Sequence, residues 1–154
     1  MWNSSSRNDG RRNLIVKDLK YYLLIGNSRW HWCEIKSETW NFFHTEANLQ
    51  KLESINSSLV AWAAVGHIPN SNLLDYKRRI LTTDVPLINL PEWVGIDRAL
   101  GAWSSFKKLK THDIKSNGLI IVDAGTVLSI TLVKKNGEFA GGQLVAGLKM
   151  QLDA

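Results

Sequence analysis

Leu119-Ile120-Ile121-Val122-Asp123-Ala124-Gly125-Thr126-Val127 carries the pattern that decides the fold. A short apolar run reads as a buried strand and ends in a small-Gly-polar turn. A long alternating stretch, Val127 to Lys134, then returns from the turn. The same arrangement occurs near the start of the chain. Tyr21 to Ile25 is a compact apolar strand broken by Gly26-Asn27-Ser28, and Arg29 to Lys36 returns with Trp30 and Trp32 on one face and His31, Cys33 and Ile35 on the other. Leu24-Ile25-Gly26-Asn27-Ser28 therefore lines up with Asp123-Ala124-Gly125-Thr126-Val127 as an internal repeat. Two such hairpins suggest two related lobes, each presenting a glycine turn to a shared cleft. Any two glycine hairpins share some likeness, and the repeat alone leaves that reading open.

Between the hairpins, apolar spacing predicts a helix over Trp40 to Ser57 and a buried strand from Leu59 to Val65, stopped by Gly66 and Pro69. A short helix is expected over Leu73 to Ile80, an irregular or edge segment over Leu81 to Leu90, and a turn from Pro91 to Gly95. Leu100, Trp103, Phe106 and Leu109 mark an amphipathic helix from Asp97 to Lys110 whose basic end suits the helix dipole. After Val127 to Lys134 comes an Asn136-Gly137 turn, then Phe139 and Gly141-Gly142 leading through Gln143 to Gly147, with a helix starting at Leu148. Trp30, Trp32, Trp62, Trp93 and Trp103 read as packing residues, not base-stacking platforms.

The chain has 154 residues, 44% of them hydrophobic, which suits one domain or two small lobes. Much of the net charge of +5 comes from the first twenty residues, where Arg7, Arg11, Arg12, Lys17 and Lys20 face only Asp9 and Asp18. Residues 1–19 read as a flexible basic tail, 20–116 as a first lobe and 117–154 as the start of a second. A basic tail on a nearly balanced body gives no expectation of a nucleic-acid partner, whereas a cleft for anionic substrates benefits from positive potential. Cys33 is the single cysteine, and His31, His44, His67 and His112 have no zinc-ligand spacing. Apolar runs such as Leu59 to Val65 are far shorter than the ~20 residues needed to span a bilayer, and the polar N-terminus has no apolar signal core. No membrane association and a cytoplasmic, reducing location are expected.

Three short segments can carry chemistry. A tight glycine turn exposes backbone N–H groups and, with a neighbouring hydroxyl, cradles phosphate oxygens without a Walker motif. Gly26, Asn27 and Ser28 offer this on one side, Gly125 and Thr126 on the other. Asp123, at the end of a strand, can hold a cation or water near those phosphates. Gly95-Ile96-Asp97-Arg98 pairs a carboxylate that could accept a hydroxyl proton with a cation that could clamp an anion, as phosphoryl transfer to an alcohol requires. Locally, Asp97 also suits a helix cap and Arg98 a surface position.

In their order and spacing, Ile25-Gly26-Asn27-Ser28, Gly95-Ile96-Asp97-Arg98 and Asp123-Ala124-Gly125-Thr126 resemble the motif set of type III pantothenate kinases. The glycine-rich stretch from Gly137 to Gly147 resembles the same family's lead into its second-lobe helix. The resemblance implies an α/β, actin-like ATPase (ribonuclease H-like) fold with two related lobes, the second incomplete in a chain that stops within it. It implies transfer of the γ-phosphoryl group of ATP to pantothenate, giving 4′-phosphopantothenate in the first step of coenzyme A synthesis. The alternative is a non-catalytic nucleotide-binding or regulatory relative, of the kind labelled accessory transcription factors, or an inactive fragment.

Site roles follow from the resemblance. Leu24, Ile25, Gly26, Asn27, Ser28, Arg29, Trp30 and His31 would form the first ATP phosphate turn, and Gly125 and Thr126 would contact ATP from the second. Gly95, Ile96, Asp97 and Arg98 would contact pantothenate, with Asp97 as proton acceptor. Asp123 would bind a monovalent cation, K+ or NH4+, and ATP would carry Mg2+. A homodimer is implied, with the partner helping to complete the acceptor site. The family's first motif opens with Asp where this chain has Leu24, and uses Thr where it has Ser28. The resemblance also implies that the sheet from Leu119 to Val145 lacks most of its helical cover, which predicts an exposed apolar face and low stability of the chain alone.

Overall fold

The structure is a computed structural model and describes residues 19–112 and 115–153. The basic tail predicted for 1–19 lies outside them except for Leu19, which opens the first strand. The chain forms strands β1 (Leu19–Ile25), β2 (Trp30–Lys36), β3 (Thr39–Thr45), β4 (Leu59–Ala64), β5 (Gly118–Ala124), β6 (Val127–Lys134) and β7 (Phe139–Ala146). Its α-helices are α1 (Leu49–Ile55), α2 (Ile96–Thr111) and α3 (Leu148–Leu152). The first sheet runs β3-β2-β1-β4, antiparallel except for β4, which lies parallel to β1 after the α1 crossover. The second is the antiparallel meander β5-β6-β7. Each half of the molecule is thus a three-stranded meander followed by a short helix, an α/β arrangement with one mixed sheet.

Both hairpins of the repeat form, with β6 spanning the stretch expected of it. The helix expected over Trp40 to Ser57 does not. Its first half is β3, and only Leu49–Ile55 is α-helical. The deciding feature is the two-residue connection Ser37-Glu38, with φ of 47° and 68°. Positive φ at both central residues turns a hairpin whose twist matches its strands. Ser-Glu does not advertise such a turn, because neither residue favours that region. Once turned, β3 pairs along its whole length with β2, and Phe43 stacks on Trp32 at 6.3 Å between ring centroids. Asn48 then caps α1, its Oδ1 accepting from the Lys51 amide at 2.8 Å. The short helix expected over Leu73 to Ile80 is instead one 3-10 turn, Tyr76–Arg78, followed by a bridge from Arg79 to Trp62 of β4.

Two apolar cores hold these layers. On one face of the first sheet, Tyr21, Leu23, Ile25, Trp30, Trp32 and Trp62 pack under Leu52 and Ile55 of α1. On the other face, Ala63 joins Val94, Ile96, Ala99, Ala102 and Phe106 around α2, together with Val133 and Phe139 of the second sheet. Helix α2 therefore lies between the sheets, touching β4 on one side and β5 and β6 on the other. Trp93, read as packing, is instead 76% exposed on the turn before α2, whereas Trp30, Trp32 and Trp62 are buried as expected.

The outer face of the second sheet has no cover among the described residues. Leu132 and Val145 of this sheet and Leu148 of α3 are open, and Ile120 and Val122 are 67% and 61% exposed. By the internal repeat they stand where Tyr21 and Leu23, 7% and 3% exposed, lie beneath α1. No helix among the described residues is long and apolar enough to cross a membrane.

Candidate functional site

The two glycine turns are built alike. Gly26 N–H donates to the Arg29 carbonyl at 2.9 Å, and Gly125 N–H donates to the Val127 carbonyl at 3.1 Å, each closing its hairpin. Each turn is backed by another glycine. The Gly66 amide donates to the Ile25 carbonyl at 3.2 Å, and a Cβ on Gly66 would collide with the Gly26 carbonyl. The Gly147 amide donates to the Thr126 carbonyl at 3.0 Å, and a Cβ there would collide with the carbonyls of Gly125 and Thr126. The sequence marks Gly66 as a strand stop and Gly147 as the end of a glycine-rich stretch, with no bracing role for either. A glycine one or two residues after a strand is the local signal, but its meaning depends on the backbone it meets.

The turns meet each other. Ser28 Oγ and Thr126 Oγ1 stand 3.4 Å apart at the exposed tips. The remaining first-turn residues divide by strand alternation. His31 is exposed beside Gly26, and Arg29 Nη1 bonds His44 Nε2 at 2.9 Å. Trp30 is buried in the first core, and Leu24 is half-buried against the second. Leu24 thus packs as an apolar residue at the position the repeat aligns with Asp123. Asp123 is exposed near the end of β5, opposite Ser129 of β6, on the same sheet face as Ile121 and Thr131.

Gly95, Ile96, Asp97 and Arg98 open α2. Gly95 sits beside Val65, whose amide bonds the Ile25 carbonyl at 2.9 Å, so this segment adjoins the first turn. The exposed Asp97 turns its Oδ1 back to accept from the Arg98 amide at 2.7 Å, where the positive end of the helix dipole favours a carboxylate. Arg98 crosses to the second sheet. Its Nε donates to Thr131 Oγ1 at 2.5 Å, its Nη2 donates to the Ile130 carbonyl at 2.8 Å, and its Cζ lies 5.6 Å from the Phe139 ring centroid. A cavity of about 430 Å³ flanks Gly95 and Ile96 on the side of Val65, Thr82, Thr83 and Glu92, and includes neither glycine turn.

Among the described residues, no three His, Cys, Asp or Glu side chains gather into a metal site. Cys33 is half-buried and burial pushes its thiol up, away from nucleophilic reactivity. Of the three predicted segments, far apart in sequence, the two glycine turns meet through Ser28 and Thr126, and the third adjoins the first turn through Val65. Two of them offer backbone amides and hydroxyls, and the third offers a carboxylate and a guanidinium.

The family model described as type III pantothenate kinase matches residues 83–154, which takes in Gly95 to Arg98 and Asp123 to Thr126. A type III pantothenate kinase of Thermosynechococcus vestitus is 32% identical over 141 residues, covering 87% of this chain and 52% of that protein. The chain is similar to type III pantothenate kinases along most of its length. A second relative of that name, from Gloeobacter violaceus, is 30% identical over 84% of the chain and 56% of its own length. A third, from Rhodopirellula baltica, reaches 43% identity over 67 residues, covering 44% of this chain and 22% of its own length. The chain thus spans about half the length of the type III pantothenate kinases that it matches most fully.

Proposed function

We propose that this chain carries the phosphoryl-transfer half of a pantothenate kinase, which moves the γ-phosphoryl group of ATP to pantothenate and forms 4′-phosphopantothenate. That product opens coenzyme A synthesis, and a cytoplasmic location fits it. The observation that carries the reading is the meeting of Ser28 and Thr126, 3.4 Å apart, with the segment that opens α2 adjoining the first turn through Val65. Small donors where two phosphate-binding turns converge, next to a carboxylate free to take a proton, are what transfer to an alcohol requires.

In this reading the Asn27 amide and the hydroxyls of Ser28 and Thr126 fix the phosphates, on turns whose Gly26 and Gly125 amides are already spent in closing the hairpins. Asp97 accepts the proton of the acceptor's primary hydroxyl. The new bond from that oxygen to the γ-phosphorus forms as the bond to the β,γ-bridging oxygen breaks, and ADP leaves. Arg98 holds a substrate oxyanion. Mg2+ would come with the nucleotide and offset phosphate charge. A monovalent cation fits Asp123, an exposed carboxylate that joins no cluster of three His, Cys, Asp or Glu side chains among the described residues, where hydroxyl, carbonyl and phosphate oxygens would complete the shell. Leu24 adds no ligand opposite it. The repeated meander-and-helix plan and the parallel pairing of β4 with β1 support an actin-like, ribonuclease H-like pair of lobes. A homodimer would bring the partner's residues to the acceptor.

The test is pantothenate-dependent ADP release with ATP, magnesium and potassium or ammonium, on this chain and on Asp97→Asn. Turnover that disappears in the variant supports the assignment. Absence of turnover in both, or equal turnover in both, overturns it.

A further inference from the structure

Thr131 is the one buried polar side chain among the described residues, at 2% exposure, and its hydroxyl is engaged by Arg98 Nε. Three further features hold the same guanidinium. The Ile130 carbonyl takes Nη2, the Phe139 ring lies under Cζ, and Gly142 of β7 leaves open the space that a Cβ would take from Nη2. The rest of the guanidinium N–H groups, those of Nη1 among them, have no protein partner among the described residues. A part-buried arginine fixed at Nε and Nη2 presents its free edge in one orientation, and such an edge suits the paired oxygens of a carboxylate or phosphate.

We propose that Thr131 is a positioning residue: it presets Arg98 as a clamp for a substrate oxyanion, with Gly142 keeping the slot open. This rests on the kinase reading above and deepens it. The oxyanion is either the acceptor's carboxylate or the terminal phosphate of the nucleotide, which share this chemistry. Thr131 itself touches neither. Its effect passes through Arg98, whose long flexible side chain would otherwise sample many rotamers and lose that entropy on binding.

The experiment uses the full chain and its Thr131→Val and Thr131→Ser variants. Arginine Nε–H resonances are recorded by 15N NMR, with Arg98 assigned by the signal lost in Arg98→Lys. Pantothenate and a non-hydrolysable ATP analogue are then titrated separately. In the parent chain the Arg98 Nε–H should be slow to exchange with solvent. In Thr131→Val that protection should vanish, and the Kd for one ligand should rise about tenfold, as for loss of a hydrogen bond to a charged group. Thr131→Ser should retain both properties to within about twofold. The ligand whose Kd moves identifies the oxyanion. Loss of protection with both Kd values unchanged would overturn the positioning role while leaving the kinase reading intact. A parent chain that binds neither ligand would overturn both, and a protected Nε–H would then show that the geometry stood and the substrate assignment failed.

Discussion

Ser28 Oγ lies 3.4 Å from Thr126 Oγ1, although 98 residues separate them in the chain. Each hydroxyl sits at the tip of a hairpin turn closed by a glycine amide, so two copies of one local device face each other across a narrow gap. A phosphate oxygen lying over the pair could accept from both hydroxyls at once.

Removing the Thr126 hydroxyl while keeping its shape should therefore weaken nucleotide binding. Thr126→Val is expected to raise the Kd for a non-hydrolysable ATP analogue about tenfold, as should Ser28→Ala, with little change in melting temperature. Calorimetric titration of both variants decides it. Unaltered affinities would remove these turns from the nucleotide site.

Gly66 and Gly147 support those turns from behind, and neither tolerates a side chain. Gly66→Ala pushes a methyl group against the Gly26 carbonyl, and Gly147→Ala against those of Gly125 and Thr126. Each substitution should cost about 1–3 kcal/mol of stability, as overpacking does. Denaturant unfolding of the two variants measures that cost, and a parent-like midpoint for both would contradict the close approach.

Tyr21 provides a pH signature of the first core. Its hydroxyl donates to Glu34 Oε2 at 2.5 Å, and burial, then that hydrogen bond, then the Glu34 charge push the phenol up to about 12. The folded state thus disfavours the ionised phenol relative to the unfolded chain, where it titrates near the ordinary value of about 10. The stabilisation is fully present below about pH 10 and is lost as the pH rises from about 10 to about 12. Chemical denaturation across that range should show a fall in stability that is smaller in Tyr21→Phe. An identical fall in the variant would place the effect elsewhere.

The uncovered face of the second sheet should behave as exposed apolar surface. Ile120 and Val122 are mostly open to solvent, so replacing both with lysine removes little packing. The double variant is expected to bind less of a hydrophobic dye and to be more soluble, while unfolding at about the same denaturant concentration as the parent. A large loss of stability would mean that these side chains are covered in solution.

Much of this protein is legible in its sequence because the signals are local. The apolar runs at Tyr21 to Ile25 and Leu119 to Val122, the glycine turns after them, and the periodicity of Leu100, Trp103, Phe106 and Leu109 each lie within a short window, and each became the expected strand, turn or helix. The acid–arginine segment was found in the same way, by residue type and order. The second β-turn was not, because Ser37-Glu38 takes positive φ only as part of a hairpin that Trp32, Phe43 and Thr45 stabilise from outside it.

What the motifs meet depends on long-range packing. Side-chain type marks Arg98 as a cation, but its engagement by Thr131 and the Ile130 carbonyl depends on α2 packing against β6. Residue spacing cannot bring Ser28 to Thr126, nor reveal that Gly66 and Gly147 brace the two turns. Those contacts join segments tens of residues apart, and they follow from two sheets closing on one helix. The local devices can be read from residue type and order; the burial of apolar faces on α2 sets which of them meet.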